Sequence, residues 1–270
     1  MFITIITDCQ DPNATGRQIT RATALFQLPA NLVGISSDIE AAGNIIDMLD
    51  ASDGQPGIIM ANIAPRHKDA KRWPNGTPFG YFWYKNTLIV STVDGLTLSL
   101  VKKLKLTDAV QVFDIPTVAD ACKDLLTLYP EQSEYLKHTQ FRSFEFMPRV
   151  AKWVWDKRNV PAEKTAIETF PDAGNKVWWI DSFGAAEYGG NCKTTIFPEE
   201  VGFAVGKTYT IQGIGEITGY AKLKDVPDKT PALIVGSSGY NEHRFLEIVV
   251  QGENAAKKFN LNLGDDIVIS

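Results

Sequence analysis

Hydrophobic positions follow two rhythms along the chain, and the change between them falls near residue 176. Before it, short β-branched runs alternate with stretches whose apolar residues recur every three or four positions. Residues 3–7, 31–36, 57–63, 88–91 and 110–113 read as strands, and 15–26 and 38–49 as helices, the second capped by Ser37 or Asp38. Strands alternating with helices predict a mostly parallel sheet covered on both faces. Residues 64–87 break the pattern with a loop rich in Pro, Gly, Trp and Lys that ends in Tyr81-Phe82-Trp83-Tyr84. That aromatic run suits either a cover over a ligand or the packing of an edge strand. A helix is predicted over 146–157, followed by a linker that carries two prolines, Pro161 and Pro171, and ends at residue 175.

After residue 176 short runs at 177–183, 192–197, 208–214, 216–223, 232–236 and 246–250 are separated by Gly-rich turns. One short helix over 255–259 precedes a terminal strand at 266–269. The predicted architecture is an α/β N-terminal domain over 1–160, a linker over 161–175 and a smaller all-β barrel over 176–270. A length of 270 residues agrees, since one hydrophobic core stops growing at about that size.

Charge narrows the function classes. A net charge of −5 argues against a general nucleic-acid binder, which needs a basic face to neutralise phosphates. The dense basic cluster, Arg66-His67-Lys68 with Lys71-Arg72, is short enough to serve one small anionic ligand. Cys9, Cys122 and Cys192 are far apart, odd in number and fit no metal spacing, so they read as reduced thiols of a cytoplasmic protein. Residues 1–11 lack the basic flank and cleavage site of a signal peptide, and no stretch approaches the roughly 20 apolar residues of a membrane span. No membrane partner is expected.

Candidate chemistry gathers where predicted strands end. Asp8 follows the first strand, where a carboxylate can grip both hydroxyls of a ribose, or simply cap a helix. His67, with Arg66, follows the third strand as an acid or base near neutral pH, or as a surface loop residue. Asp94-Gly95 is first a turn signal. Arg142 can neutralise an anion and Ser143 can hydrogen-bond an anion or water, unless Ser143 is merely a helix cap. Ile180-Asp181-Ser182-Phe183-Gly184 and Val235-Gly236-Ser237-Ser238-Gly239-Tyr240 are strand ends opening into Gly/Ser loops, which let a backbone approach a ligand and are also common barrel turns. No dinucleotide fingerprint, P-loop, nucleophile elbow or zinc spacing is present.

The order of these segments resembles the S-adenosylmethionine (SAM) hydroxide adenosyltransferase family, which also contains the SAM-dependent fluorinase and chlorinase. The resemblance runs from Ile3 to about Ile269. It is carried by Ile3-Thr4-Ile5-Ile6-Thr7-Asp8, Asp38-Ile39-Glu40-Ala41-Ala42, Asn62-Ile63-Ala64-Pro65, Val93-Asp94-Gly95, Phe141-Arg142-Ser143, Asp181-Ser182-Phe183-Gly184 and Ser237-Ser238-Gly239-Tyr240. It implies a homotrimer with SAM as substrate and no cofactor or metal. Asp8 would hold the ribose, Asp181 and Ser237 would face the methionine portion, and Phe183 would pack beside the ligand. Asp94, Ser238 and Tyr240 fall within its binding motifs, and Ser143 matches the serine that contacts the halide in the fluorinase. The implied reaction is displacement at the ribose C5′, giving adenosine and methionine when water attacks. The chain departs from the pattern of the water-using members, an Asp-Arg-His set. Ala64 stands at the Asp position, Lys71 or Arg72 near the Arg position, and Arg142 at the His position. Ala185 replaces the asparagine after Phe-Gly, and Ser238 the arginine beside the methionine carboxylate. Arg66 and His67 are then the groups left to act with Arg142 and Ser143. The departures equally suit a SAM- or adenosine-binding protein without turnover, and Ser143 allows a halogenase.

Overall fold

The computed structural model describes residues 1–64, 76–126, 131–182 and 189–270. The chain divides into two compact units, Met1–Asp172 and Ala173–Ser270.

In the first unit the strands are β1 (Phe2–Thr7), β2 (Asn31–Gly34), β3 (Gly57–Asn62), β4 (Phe79–Tyr84), β5 (Thr87–Thr92), β6 (Ala109–Val112) and β7 (Glu163–Ala166). The helices are α1 (Pro12–Phe26), α2 (Asp38–Ala51), α3 (Ser99–Lys103), α4 (Ile115–Ala121), α5 (Gln132–His138), α6 (Arg142–Glu145) and α7 (Met147–Trp155). One seven-stranded sheet has the order β2-β1-β3-β5-β4-β6-β7. The pairings β1–β2, β1–β3 and β3–β5 are parallel, and β4–β5, β4–β6 and β6–β7 are antiparallel. The sheet is therefore mixed rather than mostly parallel. Every residue of β3 and β5 is buried, because parallel strands covered on both faces need continuous apolar runs.

Three expectations change. The aromatic run 81–84 belongs to β4, which lies between β5 and β6 instead of at an edge. Tyr81 stacks on Phe113 with centroids 5.2 Å apart, and Trp83 on Trp155 at 5.4 Å. The presumed linker contains β7, whose mostly exposed residues give no hydrophobic alternation to read. Ser143 is not a helix cap: Phe141 precedes α6, and no side chain caps it.

Helix ends elsewhere follow local chemistry. Asp11 caps α1 by accepting from the backbone N–H of Asn13 and Ala14, both at 3.1 Å, with Pro12 in the first turn. Ser37 caps α2. α7 packs Met147, Val150, Ala151 and Val154 into a core that also holds Phe79, Phe113 and Phe146. Phe146 is fully buried, and such burial contributes roughly 2–3 kcal/mol.

The second unit contains β8 (Val177–Ile180), β9 (Cys192–Thr194), β10 (Thr208–Ile211), β11 (Gly215–Tyr220), β12 (Pro231–Tyr240), β13 (His243–Val250) and α8 (Ala255–Phe259). They form a six-stranded sheet, β10-β11-β12-β13-β9-β8, with one parallel pairing, β11–β12. The expected Gly/Ser loop at 236–240 is part of β12, interrupted by a bulge between Val235 and Gly239. The last residues meet both outer strands. Thr210 N–H donates to Ser270 O at 2.9 Å, and Val177 N–H donates to Asp265 O at 2.9 Å. The β10 edge and the start of β8 are thus paired, which takes those strand groups out of solvent. Cys192, Leu233, Leu246 and Ile248 face the core with Tyr209 and Ile217.

Among the described residues, no helix is long and apolar enough to cross a membrane. Among the same residues there is no cluster of three or more His, Cys, Asp or Glu side chains that could hold a metal ion.

Candidate functional site

From β1 the chain moves to β2 on one side, then returns to β3 on the other. Such a reversal opens a crevice beyond the carboxyl ends of the strands, where open α/β sheets bind ligands. Thr7 and Asn62, the last residues of β1 and β3, are register partners at this point. Asp8 comes next and is held firmly. Its N–H donates to Asn62 O at 3.2 Å, its Oδ1 accepts from Asn62 Nδ2 at 3.1 Å, and its Oδ2 accepts from Ala64 N–H at 3.1 Å. The carboxylate plane is therefore set by β3.

Beside it lies a cavity of about 290 Å³ lined by Cys9, Asn62, Thr92, Gln140, Arg142 and Ser143, among others. Ser143 is buried in α6. The neighbouring Glu145 fixes that short helix, pairing with Arg21 of α1 and Arg149 of α7 at 2.8 Å each. Arg21 also stacks on the Phe144 ring at 4.2 Å. Arg142 Nη1 donates to Thr77 O at 3.3 Å. Its guanidinium lies against Gly76, whose φ of 72° and missing Cβ leave room that a side chain would fill. Burial lowers the Arg142 pKa from its ordinary value, yet an arginine stays charged and takes no proton. The Cys9 thiol is pushed up by burial first, then by the charge of Asp8 and a hydrogen bond to it, while Thr7 and Ser143 pull the other way. It is protonated at neutral pH and is no nucleophile.

Asp94 is buried in the turn after β5, where Oδ1 accepts from Gly95 N–H at 2.9 Å. Asp38 latches the same turn by accepting from Leu96 N–H at 2.8 Å. Asp8, Arg142 and Ser143 are thus brought together, whereas Asp94 shapes the neighbouring turn. Arg66, His67, Lys71 and Arg72 lie outside the described residues.

In the second unit Asp181 follows β8 and ties down Gly190 and Asn191. Oδ1 accepts both N–H groups at 3.1 Å, and Oδ2 accepts from Asn191 Nδ2 at 3.1 Å. Ser237 is exposed on the bulge, Ser238 is buried beside it, and Tyr240 is buried at the end of β12. Lys193 Nζ donates to Ser238 Oγ at 2.6 Å. Phe183 and Ala185 lie outside the described residues. Sequence reasoning gave Asn62 and Cys9 no place beside Asp8. Only Asn62 left a signal, a polar side chain closing the apolar run Gly57–Asn62.

No protein-family model matches the chain, and no curated protein sequence matches it. Solved structures do. An uncharacterized conserved protein from Thermotoga maritima is similar over 100% of both chains, with a TM-score of 0.68 at 13% identity. A conserved hypothetical protein from Thermus thermophilus is similar over 100% of both chains, with a TM-score of 0.61 at 15% identity. At these identities the likeness shows the fold, an α/β protein with two mixed sheets and helices.

Proposed function

We propose that the protein cleaves SAM at the ribose C5′, transferring the adenosyl group to water and releasing adenosine and methionine. The observation that carries this reading is Asp8. It is a carboxylate clamped by Asn62 and Ala64 at the β1/β3 reversal, against a cavity that Ser143 and Arg142 line. A carboxylate fixed in this way can accept from vicinal hydroxyls of a ribose. By the family resemblance, Asp181 and Ser237 of a neighbouring subunit would face the methionine portion. By the family resemblance the working assembly is a homotrimer.

Chemistry here asks little of the protein. The sulfonium is already activated, so the task is to orient water and exclude bulk solvent. Water oxygen bonds to C5′ as the C5′–S bond breaks. The electron pair leaves with sulfur as the neutral thioether of methionine, and the proton passes to solvent. Ser143 accepts a hydrogen bond from the water and aims its lone pair; Arg142 cannot serve as base. The described residues lining the cavity include no carboxylate or imidazole, and this favours a second reading, a SAM- or adenosine-binding protein without turnover. A third, a halogenase, rests on Ser143 alone. Incubation with SAM, with and without halide, separates them by chromatography. Adenosine plus methionine supports the first, binding without product the second, and a 5′-halo-nucleoside the third. Neither binding nor product would overturn all three.

A further inference from the structure

The outward face of α1 is not uniform. Gly16, Thr20 and Ala24 recur every four residues, so they stand one above another along the helix, with Arg17 and Arg21 beside them. Gly16 lies inside α1 and is exposed. Glycine inside a helix is destabilising relative to alanine, and beyond its own stretch of helix no atom comes within 4 Å of the place its Cβ would take. No packing contact among the described residues therefore calls for glycine here. It helps to open a groove of about 430 Å³ between α1 and Phe144 of α6, within the size range of small-molecule sites. The groove shares no lining residue with the cavity beside Asp8.

The charge of this groove runs against that of the chain. Among the described residues two guanidinium groups line it and no carboxylate does, in a protein of net charge −5. Arg17 lies over the Phe141 ring at 4.9 Å and the Phe144 ring at 4.4 Å. Among the described residues its side chain makes no hydrogen bond and no ion pair. Arg21 lies over Phe144 at 4.2 Å and gives Nη1 to Glu145 at 2.8 Å. Glu145 also binds Arg149, so this one carboxylate is shared by two arginines and does not reach Arg17. The rings hold both guanidinium planes and leave N–H edges for a further acceptor. A planar fork of donors matches the oxygens of a phosphate, and two forks suit its double charge better than the single charge of a carboxylate. We propose that this groove is a binding site for the phosphate group of a small organic ligand, whose body lies on Phe144 and along Gly16 and Ala24. The site stands independently of the SAM reading.

Phenyl phosphate carries both features and is the probe, titrated by calorimetry into the full chain at physiological ionic strength, with inorganic phosphate for comparison. The wild type is expected to bind phenyl phosphate more tightly, because the ring adds apolar contact. Arg17→Gln keeps most of the shape and removes one fork; it should weaken binding by roughly 10- to 100-fold, the value of hydrogen bonds between charged groups. Gly16→Leu keeps both charges but fills the groove, and it should abolish the preference for phenyl phosphate. Both positions are exposed, so both variants should fold, which urea unfolding checks. Lys85→Gln removes an exposed cation outside the groove and should leave binding unchanged. A wild type that binds neither probe, or binds both equally, overturns the proposal. So does binding that survives Arg17→Gln or Gly16→Leu, or that falls as far in Lys85→Gln.

Discussion

Replacing Asp8 by Asn tests the ribose grip with almost no change in shape. The amide keeps one acceptor oxygen and turns the other into a donor. Asn62 Nδ2 or Ala64 N–H, each now 3.1 Å from a carboxylate oxygen, then faces an NH₂ group. An unsatisfied donor costs about 1–3 kcal/mol, and the half-buried setting of Asp8 holds the cost near the low end. The ligand loses an ionised acceptor. Hydrogen bonds to charged groups contribute about 1.5–3 kcal/mol, or roughly 10- to 100-fold in Kd. Calorimetric titration with adenosine and 2′,3′-dideoxyadenosine reads this directly. The wild type should prefer adenosine, and Asp8→Asn should lose that preference by the stated factor while the dideoxy ligand binds nearly as before. A preference for adenosine that persists in Asp8→Asn refutes the ribose grip, because the hydroxyls are then recognised elsewhere.

Glu145→Gln takes away the shared counter-ion of Arg21 and Arg149, which holds α6 and thereby Ser143. Breaking a buried pair from one side costs about 3–5 kcal/mol, whereas Glu145→Leu combined with Arg149→Met should recover most of it in urea unfolding. A single-variant loss below about 0.5 kcal/mol contradicts this. Burial, with the charges of Asp181, Asp265 and Glu247, pushes the Cys192 thiol from 9.0 up to about 12. Between those values the unfolded chain loses a proton that the folded chain keeps. The stabilisation present below pH 9 therefore fades as pH rises, with a slope approaching about 1.4 kcal/mol per pH unit from this group. Cys192→Ala should flatten that part of the alkaline stability profile; identical profiles would contradict it.

The central strands were legible because burial on both faces leaves no polar alternation, as in β3 and β5. β7 was not, since Glu163–Ala166 forms an exposed edge whose pairing with β6 depends on backbone bonds alone. The far half of β12 was hidden by Gly236, Ser237, Ser238 and Gly239, residues of low strand propensity held there by the neighbouring strand. α3 to α6 are too short to display a helical period. At the site, Asp8 and Ser143 could be named from strand-end and loop positions. Asn62 could not be assigned a place beside Asp8, because strand pairing brings it to the end of β1.

Attack of water at C5′ is the central claim, and heavy-oxygen water tests it most directly. Purified protein is incubated with SAM in that solvent, and the adenosine is analysed by mass spectrometry. The account predicts adenosine with one labelled oxygen, at the 5′ hydroxyl, together with unlabelled methionine, and loss of both products in Asp8→Ala. Unlabelled adenosine, or S-adenosylhomocysteine in its place, would contradict it.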